Sequence, residues 1–102
     1  MRIVTQKRLK QAIEKHSDAE PSIKAWKKLV KQQGWNSFAD VKATSLFAPD
    51  KFKNFVIFDI GGNKYRLITY IDYERKTIFI RWFLTHAEYD KGKWKNDEWL
   101  NS

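Results

Sequence analysis

Arg66 and Arg81 lie in two successive runs of β-branched and aromatic residues, and their placement suits the chemistry of phosphate groups. Side chains alternate faces along a strand. Tyr65, Leu67, Thr69 and Ile71 therefore share one side of the first run, and Lys64, Arg66, Ile68, Tyr70 and Asp72 the other. In the second run Ile78, Ile80, Trp82 and Leu84 form an unbroken apolar side expected to face helices, with Thr77, Phe79, Arg81 and Phe83 opposite. If Ile71 pairs with Ile78, Arg66 lies across from Phe83 and Ile68 across from Arg81. The two guanidinium groups are then diagonal neighbours, close enough to grip one phosphate. Alternatively, both are ordinary exposed sheet residues paired with Asp59 or Asp72.

Other chemistries find little support. The chain has no cysteine, which excludes disulfide scaffolds, thiol nucleophiles and cysteine metal sites, and fits a reducing compartment. His16 and His86 are far apart in sequence and no paired-carboxylate spacing stands out, so no metal site and no cofactor are expected. Gly61-Gly62 is isolated between two strand-like runs and reads as a hairpin turn, not a phosphate-binding glycine motif.

The elements that must carry the arginines follow from periodicity. Ile3 and Val4 predict a short first strand. Thr5 then precedes Leu9, Ala12, Ile13 and His16 at helical spacing, which predicts a helix over residues 6–15. A second helix runs over residues 21–33, opened by Asp18 and Pro21 and closed by Gly34, with Ile23, Trp26, Val30 and Gln33 as its buried stripe. Ser37 caps a short turn carrying Phe38 and Val41, and residues 43–53 read as a loop. From Asn54 the period becomes that of strands: residues 55–60, 64–72 and 77–84. Thr85 caps a last helical turn with His86, Glu88 and Tyr89, and residues 91–102 are polar except for Trp94, Trp99 and Leu100. The expected fold is α+β, a single domain over residues 1–102, with N-terminal helices packed on one face of a small antiparallel β-meander.

Twenty Lys and Arg against 12 Asp and Glu give a net charge of +8. Residues 1–31 hold nine basic and three acidic side chains, whereas residues 85–102 are close to neutral. Lys24, Lys27, Lys28 and Lys31 form one basic face of the second helix, which is either a solvated face or a contact for a polyanion. The charge points to a polyanionic or acidic partner without choosing among nucleic acid, protein and membrane surface. No run is long and apolar enough for a membrane span, and the polar, basic start lacks a signal peptide's apolar stretch, so a cytoplasmic protein is expected. Aromatic content is 16%, with five Trp; Trp94 and Trp99 could dock on the sheet, stack on RNA or lie beneath a partner.

The string Asp59-Ile60-Gly61-Gly62-Asn63-Lys64-Tyr65-Arg66-Leu67-Ile68, followed by Arg81 and by Thr85-His86-Ala87-Glu88-Tyr89-Asp90, resembles the HigB toxins of the RelE-like superfamily. His16-Ser17-Asp18-Ala19-Glu20 and Lys24-Ala25-Trp26 extend the likeness over nearly the whole chain. The resemblance implies a RelE-like toxin of a type II toxin–antitoxin system. Such a toxin is a metal-independent endoribonuclease that cleaves mRNA, usually on the ribosome, through attack of the RNA 2′-hydroxyl on the adjacent phosphodiester. It also implies a HigA-like helix-turn-helix antitoxin as partner.

By the same resemblance Arg66 stabilises the phosphorane and Tyr89 orients the nucleotide or helps proton transfer, while Arg81 assists Arg66 by the shared strand face. His86 is the better histidine for proton transfer, since imidazole titrates near neutrality; a helix-capping role is its alternative. Lys64, with Lys24, Lys27, Lys28 and Lys31, would contact RNA. Two departures stand out. RelE has lysines on the strand before the turn where residues 55–60 offer only Asp59, so the base is Lys64, Asp59 or positioning on the ribosome. Leu84 stands where HigB-like sequences commonly have glycine. The same superfamily also includes ParE-like gyrase inhibitors, and a catalytically silent RNA- or antitoxin-binding domain is a third possibility.

Overall fold

The structure, a computed structural model, describes residues 1–44 and 46–101. Ser45 of the expected loop and Ser102 of the polar tail lie outside the described residues. Strand β1 (Arg2–Val4) leads into α1 (Gln6–Lys15), and a single 3₁₀ turn (Ser17–Ala19) joins α1 to α2 (Glu20–Lys31). A short α3 (Phe38–Ala43) and three strands that were expected follow: β3 (Phe55–Ile60), β4 (Tyr65–Asp72) and β5 (Thr77–Thr85). A strand not expected, β2 (Asp50–Phe52), forms inside the predicted loop by pairing antiparallel with β3. The chain ends in α4 (His86–Lys91) and two 3₁₀ turns, Lys93–Asn96 and Glu98–Asn101. No helix among the described residues is long and apolar enough to cross a membrane.

The strands form one sheet in the order β1-β5-β4-β3-β2. β3, β4 and β5 are the expected antiparallel meander, and β1 adds in parallel beside β5. The amphipathic faces of α1 and α2 cover one side of this sheet. Leu9, Ile23, Trp26 and Val30 meet Val56, Phe58, Leu67, Ile78 and Ile80 in one apolar cluster, with Trp26 edge-on to Phe58 at 5.5 Å. Burying a side chain of this size stabilises the fold by about 1.5–3 kcal/mol, which is why the helices dock on this face.

The pairing of β4 with β5 departs from the expected register at one point. Ile71 does face Ile78, and regular pairing continues to Thr69 and Ile80, but Ile68 then faces Trp82. Arg81 is the extra residue of a β-bulge, and beyond it Arg66 faces Leu84, not Phe83. One inserted residue exchanges the faces of everything that follows. Phe83 consequently packs toward the helices, whereas Trp82 and Leu84, expected there, join the opposite side.

That opposite side is covered as well. Phe55, Ile57 and Ile68 form a second buried cluster with Trp94 and Leu100, flanked by Phe52, Tyr70, Trp82, Leu84, Tyr89 and Trp99. The segment after β5 folds back across the sheet. Of the three roles open to Trp94 and Trp99, docking on the sheet is the one seen: Trp94 is 2% exposed, and Trp99 packs edge-on against Tyr70 and Phe79. Three apolar residues in a polar tail suffice because the sheet supplies the rest of the cluster.

Candidate functional site

At the β3–β4 turn three successive residues, Gly61, Gly62 and Asn63, take left-handed φ values of 65°, 60° and 83°. At Gly61 a Cβ would also come within 3.3 Å of the Tyr65 ring, so glycine is favoured there on two counts. This turn places Arg66 directly across from Asp59 of β3. Arg66 Nε lies 3.1 Å from an Asp59 carboxylate oxygen. Its Nη1 donates to the carbonyls of Asn63 and Tyr65 at 3.3 Å, and its Nη2 donates to the Asn63 side-chain oxygen at 2.5 Å. Only 12% of the side chain is exposed. The guanidinium is thus fixed in orientation before any ligand arrives, the condition under which a charge contributes most to a transition state.

Above it, Tyr89 is clamped from two sides. Its ring stacks on Trp94 with centroids 5.2 Å apart and planes within 8°, and the Arg66 Cζ lies 5.5 Å from the ring centroid. The Trp94 indole donates to the Tyr89 carbonyl at 3.0 Å. Burial, then the nearby Asp50 carboxylate and more weakly Asp59 and Asp90, push the Tyr89 phenol above its ordinary value against the opposing pull of Arg66. Near neutral pH this side chain is a proton donor, not a base.

Both Tyr89 and His86 depend on the start of α4. Thr85 and Glu88 form a reciprocal capping box: the Glu88 N–H donates to the Thr85 hydroxyl at 3.2 Å, and the Thr85 N–H donates to the Glu88 carboxylate at 2.9 Å. The expected capping role of Thr85 is therefore met. Thr85→Ala is expected to lower stability by about 1 kcal/mol, read from the urea midpoint. The His86 N–H donates to the Lys64 carbonyl at 3.0 Å, which ties α4 to the glycine turn. One turn on, Asp90 lies 3.0 Å from His86 Nδ1, both side chains about half exposed.

Arg66, Tyr89 and the start of α4 thus converge, while the other expected residues lie elsewhere. Arg81 does not share a ligand with Arg66. Its Nε and Nη2 are held by the two Asp97 oxygens at 3.0 and 2.9 Å, and the Trp99 ring covers it at 4.0 Å. The bulge aims Arg81 at the C-terminal segment, and the buried carboxylate of Asp97 takes the charge. Arg66 does make the ion pair with Asp59 that its bland alternative predicted, but Asp72 pairs with Arg75. Lys64 is exposed, 3.6 Å from Asp18, which in turn accepts from the Tyr65 hydroxyl at 2.7 Å. His16 leans on the rings of Tyr65 and Phe83, a structural role. Lys24, Lys28 and Lys31 are exposed and Lys27 partly so; they stand on α2, across the sheet from Arg66, and Lys24 lies 3.8 Å from Glu20.

Sequence reasoning passed over three residues that matter here. Asp90 was findable, being one helical turn from His86. Asn63 was absorbed into the turn, and Asp97 carries no local signal, since its contacts with Arg81 and Trp82 come from the tail's return across the sheet. Among the described residues no group of three His, Cys, Asp or Glu side chains is placed to hold a metal.

Comparison with known proteins identifies the chain's relatives. A family model described as HigB toxin, RelE-like toxic component of a toxin–antitoxin system, matches residues 19–92, the span that holds Arg66, His86 and Tyr89. The mRNA interferase toxin HigB of Escherichia coli K12 is 30% identical over 93 residues, covering 88% of each chain. The mRNA interferase HigB of Shigella flexneri matches equally, and that of Escherichia coli O6:H1 is 43% identical over 42 residues, 40% of this chain and 41% of the relative.

Proposed function

The chain belongs to the HigB family of RelE-like toxins of toxin–antitoxin systems, and from that membership we propose that it is an endoribonuclease that cleaves messenger RNA. The observation that carries the proposal is Arg66, oriented by Asp59 and Asn63 beneath a protonated Tyr89 and next to the helix that begins with His86. Phosphodiester cleavage by an internal hydroxyl needs a base, a cation at the phosphorane and an acid. Arg66 supplies the cation, and a phosphate oxygen takes the place of the exposed Asn63 amide oxygen at Nη2. With Nδ1 engaged by Asp90, Nε2 of His86 serves as the base for the 2′-hydroxyl proton. Tyr89 then donates its phenolic proton to the departing 5′-oxygen. The P–O2′ bond forms as the P–O5′ bond breaks, leaving a 2′,3′-cyclic phosphate and a free 5′-hydroxyl.

Arg81 serves this reading indirectly, by anchoring the segment that carries Trp94 against Tyr89. The exposed lysines of α2 and Lys64 are available to RNA outside the reacting phosphate, on the ribosome in particular, and action on the ribosome is action in the cytoplasm. A HigA-like helix-turn-helix antitoxin, its acidic segment over the basic surface, is the natural partner. Induction of the chain alone is expected to arrest growth, with new transcript 5′ ends bearing hydroxyls inside coding sequences. Growth arrest with intact messages and altered DNA supercoiling would overturn the proposal in favour of a gyrase poison.

A further inference from the structure

A second basic feature lies outside that site, in a cleft of about 340 Å³ between α1 and the part of β5 that runs past the end of β1. Its lining is Arg8, Gln11, Ala12 and Lys15 from α1 and His16 just after it, with Arg81, Trp82 and Phe83 from β5, and it contains no acidic residue. Arg8, Gln11 and Lys15 recur at the three-to-four-residue spacing that puts them on one stripe of the helix, and all three are exposed. Among the described residues neither Arg8 nor Lys15 is in an ion pair. Arg8 donates instead to the Arg81 carbonyl, the bulge residue whose backbone β1 does not reach.

We infer that this cleft is a binding track for the sugar–phosphate backbone of single-stranded RNA, leading past the end of β5 to His86. The inference rests on the endoribonuclease reading, because it takes that reading's substrate as the ligand. Two exposed cations, Arg8 and Lys15, beside the partly exposed Phe83 ring make the combination that holds single strands without sequence preference. An acidic peptide added as a further strand fits less well, since α1 itself runs along this edge of β5 and Arg8 occupies a backbone acceptor there. The track is continuous with the site. His16 at its far end touches Phe83, Thr85 follows two residues later, and Lys15 and His16 lie close enough to Glu88 of α4 to act on its carboxyl electrostatically.

The test is binding of a fluorescein-labelled single-stranded RNA, made uncleavable by 2′-O-methyl sugars, to the full chain at several salt concentrations. Lys15→Glu is the cleft variant and Lys42→Glu, an exposed lysine on α3, carries the same charge change elsewhere. Arg8→Gln is the milder second variant. Lys15→Glu is expected to weaken binding about tenfold and to lower the salt slope by about 0.7 for each phosphate it no longer neutralises, with Lys42→Glu within about twofold of the parent. Equal losses in Lys15→Glu and Lys42→Glu, showing net charge alone, overturn the inference, as does unchanged binding in both Lys15→Glu and Arg8→Gln. Loss of polyglutamate binding with RNA binding intact also overturns it, in favour of an acidic protein partner. Binding that depends on Lys15 in a chain that cuts no transcript supports the track and removes the nuclease reading; cleavage that survives both substitutions with RNA binding unchanged does the reverse.

Discussion

Replacing Arg66 with alanine is expected to lower transcript cleavage about a thousandfold and to abolish growth arrest in a protein that remains folded. The reason is geometric. Asp59 and the Asn63 and Tyr65 carbonyls hold the guanidinium in a single orientation, so only the Asn63 side chain moves aside when its charge meets a phosphorane. The structural cost is about 1 kcal/mol, because the Asp59 side chain left behind is already 33% exposed and regains water. Arg66→Lys separates charge from shape: lysine keeps the charge but cannot reach Asp59, Asn63 and a phosphate together, so most of the activity is expected to be lost there too. Cleavage rates for both variants, with circular dichroism to show that they fold, test this. A folded Arg66→Ala protein that remains fully toxic would take Arg66 out of the mechanism.

The largest effect on stability is expected at a residue without a part in the chemistry. Asp97→Ala leaves the Arg81 guanidinium, 18% exposed, and the Trp82 indole, whose Nε1 donates to Asp97 at 2.8 Å, without their acceptor. Removing one partner of a buried ion pair costs about 3 kcal/mol, and for a domain of this size that lowers the melting temperature by roughly 15 °C. Toxicity should fall with it, since the segment that Asp97 anchors carries Trp94 and hence the support of Tyr89.

The pair also sets an acid limit. Burial alone would raise the Asp97 carboxyl, but hydrogen bonds from Arg81, the Trp99 N–H and the Trp82 indole outweigh it and hold the group below its ordinary value of 3.8. A carboxyl depressed by folding stabilises the protein above its unfolded value, and that stability disappears as pH falls through the folded value. Urea midpoints of the native protein should therefore drop below about pH 4, and less steeply in Asp97→Asn. Parallel pH profiles for the two proteins would show that the pair contributes nothing to the acid limit.

Helix and strand positions could be read from residue order because they reflect local periods: Leu9 with Ala12 on α1, Ile23 with Trp26 and Val30 on α2, and alternation along β4. The glycine turn, the cap at Thr85 and the pairing of Arg66 with Asp59 were legible for the same reason, each resting on neighbours in sequence or across one hairpin. Three features were settled only by the folded chain. An extra residue at Arg81 exchanged the two faces of β5 beyond it, and alternation cannot reveal an insertion that leaves the hydrophobic pattern continuous through Trp82 and Leu84. The polar tail covered the side of the sheet away from α1 and α2, because a few large rings find enough apolar surface only once β3 and β4 are paired. The partnership of Arg81 with Asp97 depends on both events together, and an ion pair between a bulge and a returning tail leaves no periodic trace in the order of residues.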